Sequence, residues 1–165
     1  MVPAGAHHRL DQFSRTVYRG TAQSFAQDPQ ALALALDGMD IDHYAALETP
    51  WEKTFFLLPL AHSEGLTNQE LAVKLSQDLV EGSSKELCEV LEFSAKQARG
   101  HRDVIARFGR HPHRNSILGR QSTRWPGGAT TALAPGHFGN RTVLFPFALK
   151  PLGCEAVADS MTDYL

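Results

Sequence analysis

Three stretches of this sequence carry the pattern of a helix N-terminus, a hydroxyl residue followed three positions later by glutamate. In such a capping box the hydroxyl accepts a backbone hydrogen bond while the glutamate reaches back to the first residue. The boxes begin at Thr49, Thr67 and Ser83, and Pro50 follows the first at a position where helices tolerate proline. Apolar residues then recur every three or four positions, which predicts an all-α fold.

The apolar spacing also predicts which face of each helix is buried. Leu10, Phe13 and Val17 form one stripe near the N-terminus, so we expect that stripe to face the core. The longest predicted helix runs from the third capping box to about Phe108. Its apolar stripe includes His101, which should therefore point with the core side chains.

Two segments leave a choice open or predict an irregularity. The run at 31–36 alternates Ala and Leu, but both are strong helix formers, so we favour a helix capped by Asp28 and ended at Gly38. Pro59 lies inside the apolar segment 51–62, where it removes a backbone hydrogen bond and predicts a kink. A kink there would turn His62 and its polar neighbours inward, although an ordinary polar turn is an equal alternative.

Short helices joined by tight turns predict antiparallel helical hairpins. The helix starts at Thr49 and Ser83 lie 34 residues apart, the period of tetratricopeptide repeats, but the Trp-Leu-Gly-Tyr pattern of those repeats is absent. We expect a disordered start at 1–9, one helical domain at 10–123, and an irregular, poorly ordered tail at 124–165 that is rich in Gly and Pro.

Composition limits the classes of partner. The formal net charge of the 165-residue chain is −2, so we expect neither wholesale nucleic-acid binding nor membrane binding. No apolar segment reaches the ~18 residues that a membrane span needs. The start of the chain lacks the apolar run of a signal peptide, and we expect a cytoplasmic location.

The segment 101–120 concentrates the chemistry, with five arginines, three histidines and one acidic residue. Guanidinium groups bind carboxylates and phosphates through paired hydrogen bonds, which suggests a site for a small anionic ligand. Asp11 and Gln12 are further contributors to such a pocket. The alternative, which we favour over the pocket, is a structural network in which buried arginines pair with Asp103, Glu64 and backbone carbonyls. The candidate ligand-binding residues are Arg15, His62, Glu64, His101, Arg107, Arg110, His113, Arg114, Asn115 and Arg120.

Other chemistries are weaker interpretations. His62, Glu64, His111 and His113 are metal-binding residue types, but their spacing is not diagnostic and the nearby arginines oppose a divalent cation, so we expect no metal. Ser63 next to His62 does not make a catalytic triad by adjacency alone. We therefore assign no cofactor and no catalytic residue.

Four motifs resemble one known family: LDQFSR (10–15), YRG (18–20), LPLAHSE (58–64) and HRDVIARFGRHPHRNSILGRQST (101–123). The sequence resembles the bacterial family called domain of unknown function 924. The resemblance implies an all-helical, tetratricopeptide-like fold. That family has no established activity, so the resemblance implies no catalytic residues.

The sequence departs from the family pattern near both ends. Members usually have further helices before LDQFSR, carry Phe-Pro-Arg-Asn where this chain has Phe13-Ser14-Arg15-Thr16, and continue helically where Arg124-Trp125-Pro126 begins unrelated sequence. A frameshift or misplaced start is one explanation, and a genuine divergent tail is the other. A missing N-terminal hairpin would leave apolar surface on the first helices, to be covered by the tail or by a partner.

Two functions follow as expectations. The first is a helical-repeat module that binds a protein or peptide partner, motivated by stacked hairpins and the lack of a complete catalytic set. The second is a binding protein or enzyme for a small anionic ligand, bearing phosphate or carboxylate, at the Arg/His cluster.

Overall fold

The computed structural model describes residues 6–122, with side chains from Arg9 onward. The predicted start at 1–9 lies mostly outside these residues, and the predicted tail lies wholly outside them. Residues 6–122 contain no strand, which confirms the all-α prediction. The helices are α1 (Ala6–Val17), α2 (Asp28–Asp40), α3 (Pro50–Phe56), α4 (Leu58–His62), α5 (Leu66–Glu81) and α6 (Lys85–Phe108), with 3-10 turns at Ala22–Phe25 and Pro112–Arg114.

The predicted helix starts are confirmed to different degrees. Thr49 and Glu52 form a complete capping box, since the Thr49 hydroxyl accepts from the Glu52 amide and the Glu52 carboxylate accepts from the Thr49 amide. The box predicted at Thr67 is wrong, because α5 already begins at Leu66 with Gly65 as its N-cap. The third helix start lies one residue later than predicted.

Helix α2 confirms the helical interpretation of the alternating Ala and Leu run, but it does not end at Gly38. Gly38 is buried inside the helix, and a Cβ atom there would lie 3.0 Å from the Phe56 ring. The glycine therefore allows a close approach of α2 to α3. Asp28 is the first residue of α2 instead of its cap, which is Gln27.

Pro59 produces the predicted interruption. Helix α3 ends at Phe56, and α4 begins two residues later with Pro59 in its first turn, where no backbone N–H is required. The change of direction places His62, the last residue of α4, against the buried face of α1. The inward orientation of His62 is therefore confirmed.

The apolar core lies where α2, α3, α4 and α5 meet. Its centre consists of the buried side chains Ala35, Phe56, Leu60 and Ala72, and the surrounding half-buried side chains are Leu32, Met39, Tyr44, Leu47, Ala61 and Leu71. Helices α5 and α6 pack side by side as a hairpin. The tetratricopeptide-like stacking of hairpins stays a prediction.

Helix α1 packs with the opposite face from the one that its apolar stripe predicts. Asp11 is fully buried and Ser14 is 6% exposed, whereas Phe13 is 68% and Val17 53% exposed. The prediction that this stripe faces the core is therefore wrong for Phe13 and Val17, while Leu10 is half-buried. The physical reason is the set of charged partners that Asp11 meets inside the protein, described below.

Helix α6 ends as predicted, at Gly109 with a φ of +66°, a left-handed conformation that favours glycine. Leu91, Ala98 and Ile105 are buried along its inner face, and His101 points to the same side. His111, which follows the helix, is only 2% exposed although it does not lie on the core stripe of α6. A position on that stripe therefore does not make His101 more buried than His111. Within residues 6–122, no helix combines the length and apolar composition required to cross a membrane.

Candidate functional site

Charged and imidazole side chains from α1, α2, α4, α6 and the segment after α6 meet beside the apolar core. We call this group the polar cluster. It consists of Asp11, Arg15, Asp28, His62, Glu64, His101, His111, His113, Arg114 and Arg120. Since these residues come from distant parts of the chain, the helical packing creates the cluster.

Asp11 is the most buried charge of the cluster, and four donor groups surround its carboxylate. Arg15 Nε and Nη2 lie 3.2 and 3.1 Å from Oδ1, and Gln12 Nε2 lies 2.6 Å from Oδ2. His62 Nδ1 lies 2.8 and 2.9 Å from the two oxygens. Burial alone would raise the pKa of Asp11, but the charge and hydrogen bond of His62, the charge of Arg15 and the hydrogen bond of Gln12 outweigh it and lower that pKa. Asp11 is therefore an ionised acceptor, and His62 Nδ1 is the donor.

Asp28 is bound by two arginines that share one aromatic ring. Arg114 Nη1 lies 3.0 Å and Arg15 Nη2 lies 2.8 Å from Asp28 Oδ2. The two guanidinium carbons lie 4.7 and 5.4 Å from the centre of the Phe25 ring, within cation–π range. Arg114 also donates from Nη2 to the His62 carbonyl at 2.9 Å. The ring and the carboxylate together fix both guanidinium groups.

Burial shifts the pKa values of this pair in opposite directions. It lowers the pKa of Arg114 to about 10, assisted by the charge of Arg15 and opposed by Asp28. It also raises the pKa of Asp28, although the charges of Arg15 and Arg114 oppose that shift. Arg114 therefore remains protonated at neutral pH.

Glu64 joins the segment after α6 to the end of α4. Arg120 makes a two-pronged contact, with Nη1 2.7 Å from Oε2 and Nη2 2.9 Å from Oε1, and the His111 amide donates to Oε1 at 2.9 Å. Burial would raise the pKa of Glu64, but the hydrogen bonds and charge of Arg120 outweigh it and lower that pKa. Charge-assisted, two-pronged contacts of this kind are among the stronger hydrogen bonds in proteins.

Four imidazole rings form a row from the buried end of α4 to the surface. The ring centres of His62 and His101 are 6.1 Å apart, those of His101 and His111 5.6 Å, and those of His111 and His113 5.3 Å. His101 Nδ1 lies 3.1 Å from the Ala61 carbonyl. Burial, aided by neighbouring positive charges, lowers the pKa of His101 to about 4, of His111 to about 2 and of His113 to about 4. These three rings are therefore neutral at pH 7.

The polar cluster is balanced in formal charge, in contrast to the segment 101–120 alone. Its three guanidinium groups each contact at least one carboxylate, and the three carboxylates come from α1, α2 and the end of α4. No three His, Cys, Asp or Glu side chains within the described part of the chain are arranged to hold a metal ion. What the contacts support directly is a network that joins the helices.

Comparison with known proteins identifies the family. The family described as bacterial protein of unknown function, domain of unknown function 924, matches residues 9–125. The chain belongs to this family. A solved structure of a protein of unknown function from Agrobacterium tumefaciens is 37% identical, with a TM-score of 0.62 over 73% of this chain. The match covers 61% of that protein, so this chain spans less than two thirds of its length. No curated protein matches the chain.

For this member of the domain of unknown function 924 family, most predicted site residues meet in the polar cluster. Those that do are Arg15, His62, Glu64, His101, His113, Arg114 and Arg120. Asn115 is 2% exposed, and its carbonyl accepts from the backbone amide of Arg120 at 2.8 Å, so it shapes the turn after α6.

Two predicted residues lie apart from the polar cluster. Arg107 is exposed, and its guanidinium carbon lies 5.5 Å from the centre of the Phe108 ring. Arg110 is half-buried and contributes to none of the cluster contacts given above. The number of arginines in the segment 101–120 therefore overstates the cluster. The helical phase of α6 places Arg107 on an exposed face, and Arg110 lies in the turn after the helix.

Sequence reasoning misses two residues of this site. Asp28 is predicted as a helix cap, yet its carboxylate binds an arginine 86 positions later in the chain. Phe25, which contacts both Arg15 and Arg114, carries no pattern that points to the site. Asp11 is expected only as a contributor and proves to be central. The one sequence signal for Asp11 is that it is a polar residue within α1. The apolar stripe of the same helix predicts that the opposite face is buried, and so argues against a buried Asp11.

Proposed function

We propose that this chain is a protein-interaction module that binds an amphipathic helix of a partner through the outward face of α1. The observation that carries the proposal is the inverted packing of this helix. Phe13, Val17 and Tyr18 are 68%, 53% and 44% exposed, and Phe13 and Val17 are one helical turn apart. Contiguous exposed apolar side chains often mark interaction surfaces.

The polar cluster explains why α1 keeps its apolar stripe outside. Turning the helix to bury Phe13 and Val17 would gain about 1.5–3 kcal/mol for each side chain. The same rotation would separate Asp11 from His62 and Arg15 from Asp28. Breaking a buried ion pair such as Arg15–Asp28 costs about 3–5 kcal/mol. Because the two energies are comparable, the polar contacts of the cluster offset the gain that burial of Phe13 and Val17 would bring. The cluster therefore supports the interaction surface by fixing the helix that carries it.

The charge of α1 favours a partner of one kind. Its single acidic residue, Asp11, is buried, while Arg9 on the same helix is exposed. A complementary surface would offer apolar side chains to Phe13 and Val17 and acidic side chains to the arginine. An amphipathic helix with apolar residues at steps of three and four and acidic flanks has this chemistry.

Selection from a peptide library tests the proposal with synthetic helices in place of the partner. A displayed library of helical peptides is selected on the immobilised protein, and the enriched peptides are measured in solution by fluorescence polarisation. We expect apolar residues at helical spacing with acidic flanks. Phe13→Ser should weaken binding by roughly tenfold or more, because a buried phenylalanine contributes about 1.5–3 kcal/mol.

Phe93→Ser is the matched control, because Phe93 is 44% exposed on α6, away from α1. It should leave peptide affinity unchanged. Equal affinity of the selected peptides for the wild type and for Phe13→Ser would refute the proposed surface, and so would a selection that enriches no peptide.

A small anionic ligand at the polar cluster is the alternative from the sequence. We do not adopt it, because Arg15, Arg114 and Arg120 are each engaged by a carboxylate of the chain itself. A cytoplasmic location stays a prediction from composition.

A further inference from the structure

A cavity of about 50 Å³ lies where α3, α4, α5 and α6 meet, next to the polar cluster, and it opens on one side. Four aliphatic side chains form part of its wall. The polar side chains that line it are Thr54, His62, Ser76, Ser94, Gln97 and His101. His62 therefore belongs to two environments, since it contacts buried Asp11 and also borders the cavity.

We infer that His62 and Asp11 form an acid–base site that acts on a small uncharged carbonyl group held in this cavity. His62 Nδ1 lies within 2.9 Å of both Asp11 oxygens, and Asp11 is fully buried. The carboxylate accepts, so Nδ1 carries the proton. Nε2 is then the ring nitrogen that exchanges protons with a bound molecule. A carboxylate that orients an imidazole in one tautomer is the arrangement that enzymes use for a general base.

The remaining contacts of Asp11 strengthen this assignment. Arg15 and Gln12 donate to the same carboxylate, which fixes its position relative to the imidazole. His101, the other histidine of the wall, has its Nδ1 3.1 Å from the Ala61 carbonyl. His62 Nδ1 instead lies against the Asp11 carboxylate.

The cavity wall defines the class of ligand. Among the residues that the structure describes, its lining includes no Asp, Glu, Lys or Arg side chain and combines aliphatic groups with hydroxyl, amide and imidazole groups. A charged ligand would lose its hydration without gaining a counter-ion there. A cavity of roughly 150 Å³ holds benzene, so one of about 50 Å³ admits only a few heavy atoms. The acyl end of a neutral ester fits this description.

The reaction for such an ester is hydrolysis. His62 Nε2 accepts a proton from a water molecule as the water oxygen forms a bond to the carbonyl carbon. When the tetrahedral intermediate collapses, the bond to the alcohol oxygen breaks and His62 returns the proton to the leaving alcohol. The ester and water thus become a carboxylic acid and an alcohol, and no other reactant is required.

The first test is hydrolysis of p-nitrophenyl acetate by the full chain at about pH 7.5, compared with free imidazole at equal concentration. We expect a rate at least about tenfold above imidazole, and a loss of that excess in His62→Gln, since general-base catalysis contributes about 10²–10⁴. His43→Gln, a half-buried histidine outside the cavity wall, should retain the wild-type rate. A wild-type rate no higher than imidazole, or an equal rate in His62→Gln, would overturn the inference.

A second measurement uses the wild-type protein and so does not depend on the folding of a variant. Long-range ¹H–¹⁵N spectra report which ring nitrogen of a neutral histidine carries the proton. We expect the Nδ1–H form for His62, and a change in its Nε2 signal when acetamide, a small neutral carbonyl compound, is added. The opposite tautomer, or ring signals that do not respond to saturating acetamide, would overturn the assignment.

Discussion

Acidification should destabilise this protein well before its carboxyl groups are protonated. His101 and His111 have pKa values of about 4 and about 2 in the folded protein because they are buried, against an ordinary value of 6.5. Between pH 6.5 and 4 the unfolded chain therefore binds more protons than the folded one, so stability falls as the pH falls. At pH 5 the cost is about 2 kcal/mol for each ring, since one pH unit corresponds to about 1.4 kcal/mol per group.

Together the two buried rings should lower the free energy of unfolding by about 4 kcal/mol between pH 7 and pH 5. His113 also has a lowered pKa, but its side chain is exposed, so solvent screening makes its contribution smaller. The raised pKa of Asp28 acts in the opposite direction, because the folded state then takes up a proton more readily, and it reduces this total. Asp11 and Glu64 have lowered pKa values, so their contributions are lost only when the pH falls toward the ordinary carboxyl range.

Urea unfolding followed by circular dichroism at pH 7, 6 and 5, at constant ionic strength, measures this loss directly. In His111→Gln the pH dependence should fall by roughly a third to a half, because one of the two buried titrating rings is removed while His101 and the exposed His113 remain. An unfolding free energy that stays constant from pH 7 to pH 5, or an equal pH dependence in His111→Gln, would refute the neutral, buried state of these rings.

Two further predictions concern single contacts, and urea midpoints test both. Glu64→Gln should destabilise the protein by about 1–3 kcal/mol, because it removes charge-assisted hydrogen bonds from a partly buried carboxylate. The control Asp78→Asn, which alters an exposed ion pair, should cost less than about 1 kcal/mol. Equal losses of stability in the two variants would contradict the role assigned to Glu64. Thr49→Ala should lower the free energy of unfolding by about 1 kcal/mol, because it removes the N-cap of α3. Thr67→Ala, inside the first turn of α5, should lower it little. The reverse order would show that the helix starts are misassigned.

Features encoded by neighbouring residues could be predicted from the sequence. The capping box at Thr49, the interruption at Pro59 and the left-handed end at Gly109 each depend on a few consecutive residues. The conformational preferences of those residues act locally, so their outcome does not depend on the rest of the fold. The boundaries of α3 and α4 and the end of α6 follow from them.

The packing orientation of α1 and the make-up of the polar cluster depend on distant residues. Asp11 contacts His62, 51 positions away, and Asp28 contacts Arg114, 86 positions away. Apolar periodicity predicts the inner face of a helix from the burial of apolar side chains alone. It therefore fails where buried ion pairs contribute a free energy of similar size. The prediction that α2 ends at Gly38 fails for a related reason, because the close contact of this glycine with a ring on another helix is invisible in the local sequence.

The inverted orientation of α1 underlies both the polar cluster and the proposed interaction surface, and thiol labelling tests it most directly. Phe13→Cys and Ser14→Cys place a thiol at adjacent positions that are 68% and 6% exposed. Labelling rates by a maleimide, read by peptide mapping to separate the native cysteines, should be at least about tenfold higher for Phe13→Cys because a buried thiol is protected from the reagent. Equal rates would contradict this orientation of α1, and faster labelling of Ser14→Cys would show that the apolar stripe faces the core instead.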